Sequence, residues 1–244
     1  MTRFSPVRLL KSTNHFFSAT TDSLLHLIFP HICAGCNTDL LDRTNMLCLH
    51  CLSGLPQTYF HMHGNNPIEK LFWGRLPLAH ASAQYYFTKE SLVQRLMHQF
   101  KYKGNKELGY FLGTLMGHQL IQSNRFSYLD ALVPLPLFPS KEKLRGFNQA
   151  AVLCEGISHV LQKPVLRDVV RRTVYTESQT KKNRLQRWQN MEGRFEVINA
   201  EAIKGKHVLL VDDVVTTGAT LEACGQMLLA ADAKLSIAAL CFSS

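Results

Sequence analysis

Two adjacent aspartates, Asp212 and Asp213, close the apolar run 208–211 and lead through two valines into Thr216-Thr217-Gly218-Ala219-Thr220. A turn of this composition opens a helix, and its glycine lets backbone come close to a ligand. The N–H groups of 217–220, the threonine hydroxyls and the positive end of the helix dipole then form a cup for a phosphate. The chain lacks a G-x4-G-K-[ST] loop at this point, so the cup suits a monophosphate rather than a nucleoside triphosphate. Asp212 and Asp213 precede the cup by about one sugar's length. Paired carboxylates there accept hydrogen bonds from vicinal hydroxyls, face a cationic sugar ring, or reach Mg2+ through water. Together the two features describe a pocket for a ribose 5-phosphate. The plainer reading is a strand whose acids cap a helix, which explains one acid but not the whole motif.

A second constellation stands near the N-terminus. Cys33-Ala-Gly-Cys36 and Cys48-Leu-His-Cys51 are two C-x2-C knuckles with 11 residues between them. Four thiolates at this spacing complete a tetrahedral shell that suits Zn2+ in a structural role. Gly35 is expected to make the turn that frees backbone N–H groups toward sulfur. Disulfides are the other reading. The absence of a secretory pattern in the first 30 residues points to a cytoplasmic chain, where disulfides are rare. Cys154, Cys224 and Cys241 lie in apolar surroundings and read as packing residues.

The elements that must position these groups alternate. Strands are expected at 81–87, 128–138, 165–172, 195–198, 207–214 and 234–242, and helices at 91–104, 105–122, 149–162 and 220–230. This pattern predicts an α/β fold, a mostly parallel sheet flanked by helices, with a small zinc module ahead of it. Ligands of such sheets sit beyond the carboxyl ends of the strands, where 212–220 falls. The expected divisions are an N-terminal helical extension over 1–30 (short helix at 24–28), the four-Cys module over 31–60, a linker or hood of little regular structure over 61–80, and the main domain over 81–244.

The chain of 244 residues is 46% hydrophobic and carries a formal charge of +9, so it can bury a core. Residues 141–194 hold 12 basic and 5 acidic side chains. That block suits a polyanion, either a phosphorylated small molecule or nucleic acid, although a solvated face has the same composition. No apolar run is long enough to span a membrane.

The run 208–220 resembles the phosphoribosyl pyrophosphate signature of type I phosphoribosyltransferases. With the cysteine knuckles, FKYKGN (100–105), VPLP…LRGFNQA (133–150) and SQTKKNRLQRWQN (178–190), the chain from about Cys33 onward resembles the ComF family. The resemblance implies that Asp212 and Asp213 meet the ribose hydroxyls, and that Val215, Thr216, Thr217, Gly218, Ala219 and Thr220 hold the 5-phosphate. It implies a pyrophosphate loop after the 128–138 strand, near Lys141, Lys143 and Arg145. It also implies a basic loop over 173–194, with Arg184 and Arg187, that closes over the site with Mg2+ on the leaving group. Asn148 and Gln149 are expected to cap the following helix. The family implies a role in DNA uptake during natural transformation, with single-stranded DNA and a helicase as partners. Trp73, Tyr102, Phe147 and Trp188 are candidates for stacking on bases. The alternative is a metabolic phosphoribosyltransferase of nucleotide salvage or biosynthesis. The chain departs from the family's usual glycine-alanine pair at Ala231-Asp232-Ala233.

Overall fold

The computed structural model describes residues 31–40, 45–172 and 195–243. The expected helix at 24–28 and the basic loop with Arg184, Arg187 and Trp188 lie outside the described residues. Two compact units divide at Leu52/Ser53.

In the first unit, an antiparallel bridge between Ile32 and Asp39 closes the first knuckle. Short helix α1 (Leu49–Ser53) begins inside the second knuckle. The left-handed residue of the first knuckle is Asn37, at φ 62°. The expectation for Gly35 is corrected in this respect: its N–H does point at Cys33 Sγ, 3.4 Å away, but the reversal falls on Asn37, whose short polar side chain tolerates that region.

The second unit is built on four parallel strands, β1 (Ala81–Tyr86), β2 (Ala131–Pro134), β5 (His207–Val215) and β6 (Lys234–Phe242), in the order β1-β6-β5-β2. Strand β5 lies between β2 and β6, pairing Val208 with Ala131 of β2 and Val211 with Ala238 of β6. Its residues 207–211 are all buried, which accounts for the unbroken apolar run. Val208 and Leu210 join the core that contains Ala83, Val133, Ile237 and Leu221. Helices α3 (Leu92–Tyr102), α4 (Lys106–Ile121), α6 (Gln149–Leu161) and α7 (Ala219–Ala230) match the expected spans closely. Helix α7 joins the core through Leu221, Cys224 and Leu228. On the sheet's other side, Met116 and Leu120 of α4 stand against Ser82, Gln84 and Ala238.

Three expectations change. Strand 128–138 shortens to β2, because prolines at 134 and 136 cannot donate to a ladder. The 165–172 stretch contributes a parallel bridge at Val165 to Leu132 and then β3 (Val170–Arg172), which pairs antiparallel with β4 (Phe195–Val197) in a separate two-stranded sheet. Residues 61–80 are not an irregular connection. Asn66 accepts from the N–H groups of Ile68 and Glu69, Pro67 takes the first helical position, and helix α2 runs over Pro67–Leu71. Ile68, Phe72 and Leu76 enter the core. Asp232, where the family's usual pair is missing, takes a left-handed turn at φ 64°.

Candidate functional site

The site grows from the end of β5. Beyond Val211 the strand keeps its pairing with β6, Asp212 opposite Ala239 and Val214 opposite Cys241, so the acid pair is held by ladder bonds rather than by a loose loop. Consecutive strand residues point to opposite sides. The two carboxylates accordingly find different partners. Asp213 Oδ2 lies 2.9 Å from Lys101 Nζ at the last turn of α3. Asp212 Oδ1 accepts from the Asp213 N–H at 2.7 Å. Burial, and then the charge of Asp213, push the Asp212 carboxyl up to about 8, against the pull of that N–H, Lys101 and Arg172.

The turn after β5 ends at Gly218, at φ 74°, which opens α7 without a side-chain cap. The first-turn N–H groups of a helix have no intrahelical partners and suit an anion. A Cβ at 218 would lie 2.8 Å from the Phe72 ring and 3.1 Å from Leu71, so α2 presses directly on the turn. Asp212 and residues 214–221 line a small cup of about 40 Å³ here. Val215, though part of its wall, is 1% exposed and buried in the core.

Asp212 and Thr220 also line a larger cavity of about 180 Å³. Asp213, Lys101, Lys141, Arg145 and Arg172 surround it, with Leu135 to Leu137 along one side. The expected loop at 139–148 contains a helix, α5 (Pro139–Arg145), started by its proline and stopped by Gly146 at φ 79°. Lys141 and Arg145 reach the cavity, while Lys143 stays exposed on the same helix and outside the lining. Asn148 caps α6 as expected, accepting from the Ala150 N–H, and its Nδ2 donates to Leu135 O at 3.0 Å. Gln149 does not cap. It is 2% exposed and its Oε1 accepts from Arg145 at 2.7 Å, which aims the guanidinium.

Two cavity cations, Lys101 and Arg172, are absent from the expected set. Lys101 carries a signal in sequence, a lysine between the core residue Phe100 and the helix stop at Gly104. Arg172 carries none, since its guanidinium is fixed by Phe138, 3.7 Å from the ring centroid, through a contact across separate elements.

In the first unit, the sulfurs of Cys33, Cys36, Cys48 and Cys51 all lie within 4.8 Å of one another and can hold a metal ion. Cys36 and Cys48 sulfurs are 3.6 Å apart, close to the roughly 3.8 Å that two ligands of tetrahedral Zn2+ require. The N–H groups of Gly35 and Cys48 point at Cys33 sulfur and that of Cys51 at Cys48 sulfur, the pattern that favours thiolates. Hydrogen bonding from the Thr38 N–H, with the neighbouring thiols, pulls the Cys36 thiol down to about 6. Cys154, Cys224 and Cys241 are fully buried packing residues.

The phosphoribosyl transferase domain model matches residues 148–243, which contain β5, the cup and α7. The DNA utilization protein YhgH of Escherichia coli (strain K12) is 31% identical over 203 residues, 81% of this chain and 84% of that protein. Competence protein F of Haemophilus influenzae is 28% identical over 205 residues, 84% and 86% of the two chains. Competence protein ComFC of Bacillus subtilis (strain 168) is 28% identical over 223 residues, 88% and 86%. A four-Cys cluster, a type I phosphoribosyltransferase-like sheet and this extent of similarity place the chain in one group: it belongs to the ComF family.

Proposed function

We propose that the site binds phosphoribosyl pyrophosphate and that the protein serves DNA uptake in natural transformation. One observation carries the ligand reading. The uncapped turn at Gly218 and the larger cavity with its cations share Asp212 and Thr220, at the carboxyl end of a parallel strand. In this reading Thr216, Thr217, Gly218, Ala219 and Thr220 hold the 5-phosphate. Asp212 and Asp213 accept from the ribose hydroxyls. Lys141 and Arg145 face the pyrophosphate, with Arg184 and Arg187 as candidates from the 173–194 loop.

Mg2+ would supply further positive charge on the pyrophosphate, and the carboxylate pair offers it oxygen ligands. If the pocket turns over, an acceptor nucleophile forms a bond to the anomeric carbon as the C–O bond to pyrophosphate breaks and pyrophosphate leaves. Arg145, aimed by Gln149, would stabilise the leaving group, while the carboxylates face the positive charge that develops on the sugar. The four thiolates would hold Zn2+ as a structural ion, with no open position for catalysis.

The DNA reading rests on the relatives' names, which speak of competence and of DNA utilization. Exposed Trp73 and Tyr102 offer stacking faces, and the latter lies under the Arg145 guanidinium. Phe147, by contrast, is 7% exposed and packs on Phe100, so it belongs with the core. Single-stranded DNA, a helicase partner and a cytoplasmic location complete the reading. Among the described residues no helix is long and apolar enough to cross a membrane.

The ligand is tested by thermal unfolding. Phosphoribosyl pyrophosphate with Mg2+ should raise the midpoint progressively with concentration. Ribose 5-phosphate should raise it less, and ATP not at all. A midpoint that none of them moves contradicts the reading. For the DNA role, deletion of the gene should impair transformation without causing a nucleotide requirement, whereas such a requirement would favour a salvage enzyme.

A further inference from the structure

We propose that Lys101 is a positioning residue of this site, a resident cation that holds Asp213 by an ion pair and lets the cavity accept a phosphorylated, diol-bearing sugar with reduced dependence on a divalent ion. The inference rests on the phosphoribosyl pyrophosphate reading above.

The placement of Lys101 is built, not incidental. Ser91 caps α3, its Oγ accepting from the Gln94 N–H at 3.2 Å. Val93, Leu96, Met97 and Phe100 form the buried face of α3. Phe100 is fully buried against α4 at Gly109, where a Cβ would fall 2.1 Å from its ring, and against Phe147, 5.6 Å between ring centroids. The last turn of α3 therefore has little freedom, and Lys101 follows Phe100 directly.

The side chains of Lys101 and Asp213 are only 18% and 13% exposed. A lysine so enclosed needs a fixed anionic partner. The Arg125–Glu69 pair is equally enclosed, at 18% and 13% exposure, but lies away from the cavity, and the pairs of Arg171 with Glu196 and Arg167 with Glu155 join more exposed side chains. The Lys101 pair instead borders the cavity, beside Lys141, Arg145 and Arg172. Among the described lining residues, four cations face two carboxylates. An anionic sugar phosphate thus meets net positive charge before any metal arrives. When the sugar hydroxyls engage Asp213, the Lys101 ammonium remains as the carboxylate's second partner, so binding does not strand an enclosed negative charge.

The test compares wild-type protein with Lys101→Met and Lys101→Arg. Phosphoribosyl pyrophosphate affinity is measured in EDTA and in saturating Mg2+. Lys101→Met should weaken binding by about tenfold in EDTA and by about threefold or less in Mg2+. Lys101→Arg should recover most of the loss. A role confined to tying α3 to β5 would weaken both conditions equally, and that result, or no loss at all, overturns the proposal while leaving the ligand reading intact. Wild-type binding that vanishes in EDTA also overturns it. No wild-type binding in either condition removes the ligand reading and this proposal together. If circular dichroism shows Lys101→Met unfolded, Lys101→Gln replaces it under the same criteria.

Discussion

At the residue scale, Asp212 and Gly218 carry the sharpest consequences. Asp212 is a carboxyl whose folded value, about 8, lies well above its ordinary value of 3.8. Between those values the folded protein holds a proton that the unfolded chain has released. Stability contributed by this group is therefore full at low pH and is lost as pH rises through that window, by up to about 1.4 kcal/mol per pH unit. Asp212→Asn removes the ionisation. In metal-free buffer its denaturant stability should fall less between pH 5 and pH 8 than that of the wild type. Equal slopes would contradict the raised Asp212 carboxyl. Gly218 combines φ 74° with a Phe72 ring 2.8 Å from any added Cβ. Gly218→Ala should cost about 1–3 kcal/mol of stability in denaturant titrations and abolish ligand-dependent rises in midpoint, because the ring must move from behind the cup.

At the scale of elements, packing of α4 on α6 shows how tertiary contact overrides local preference. A Cβ at Gly156 would lie 2.3 Å from Tyr110 O, and one at Gly113 would lie 2.4 Å from Leu153 O. In an exposed helix Gly→Ala gains about 1 kcal/mol. Here Gly156→Ala should destabilise by about 1–3 kcal/mol, read from urea unfolding, because the backbones must separate. A stabilised variant would show that the helices do not touch. The same distinction decides what sequence reveals. Long periodic segments such as 149–162, and the apolar 207–211 ending in acids, are local patterns and could be read directly. The short helices are less evident. Helix α5 occupies a stretch whose composition suggests a loop, although Pro139 and Gly146 mark both its ends. Helix α2 carries Asn66-Pro67-x-Glu69, a capping signal inside a stretch dominated by Gly, His and Asn. The acid pair and cup were legible because one continuous segment carries them. Lys101 and Arg172 join from separate elements, and Gln149 acts through Arg145, so their roles appear only once the fold assembles the cavity.

At the scale of the molecule, two units with different sources of stability share one chain. The second has a core of sheet and helices. In the first, four cysteine sulfurs lie within 4.8 Å of one another, and a bound metal would tie the two knuckles together. Treatment with a strong chelator should release about one Zn2+ per chain and abolish hydrogen-exchange protection at Cys33, Ala34 and Leu52, whose N–H groups are bonded within this unit. Retained protection with no metal released would mean that the cysteines pack without an ion. The central claim, however, concerns the cavity at the end of β5. Its most direct test is a calorimetric titration of phosphoribosyl pyrophosphate in Mg2+ into the wild-type protein and into the Asp212→Ala/Asp213→Ala double variant. Saturable binding by the wild type, reduced at least about a hundredfold in a folded double variant, is the predicted result. Absence of binding by the folded wild type, or equal binding by the variant, would contradict the assignment of this pocket.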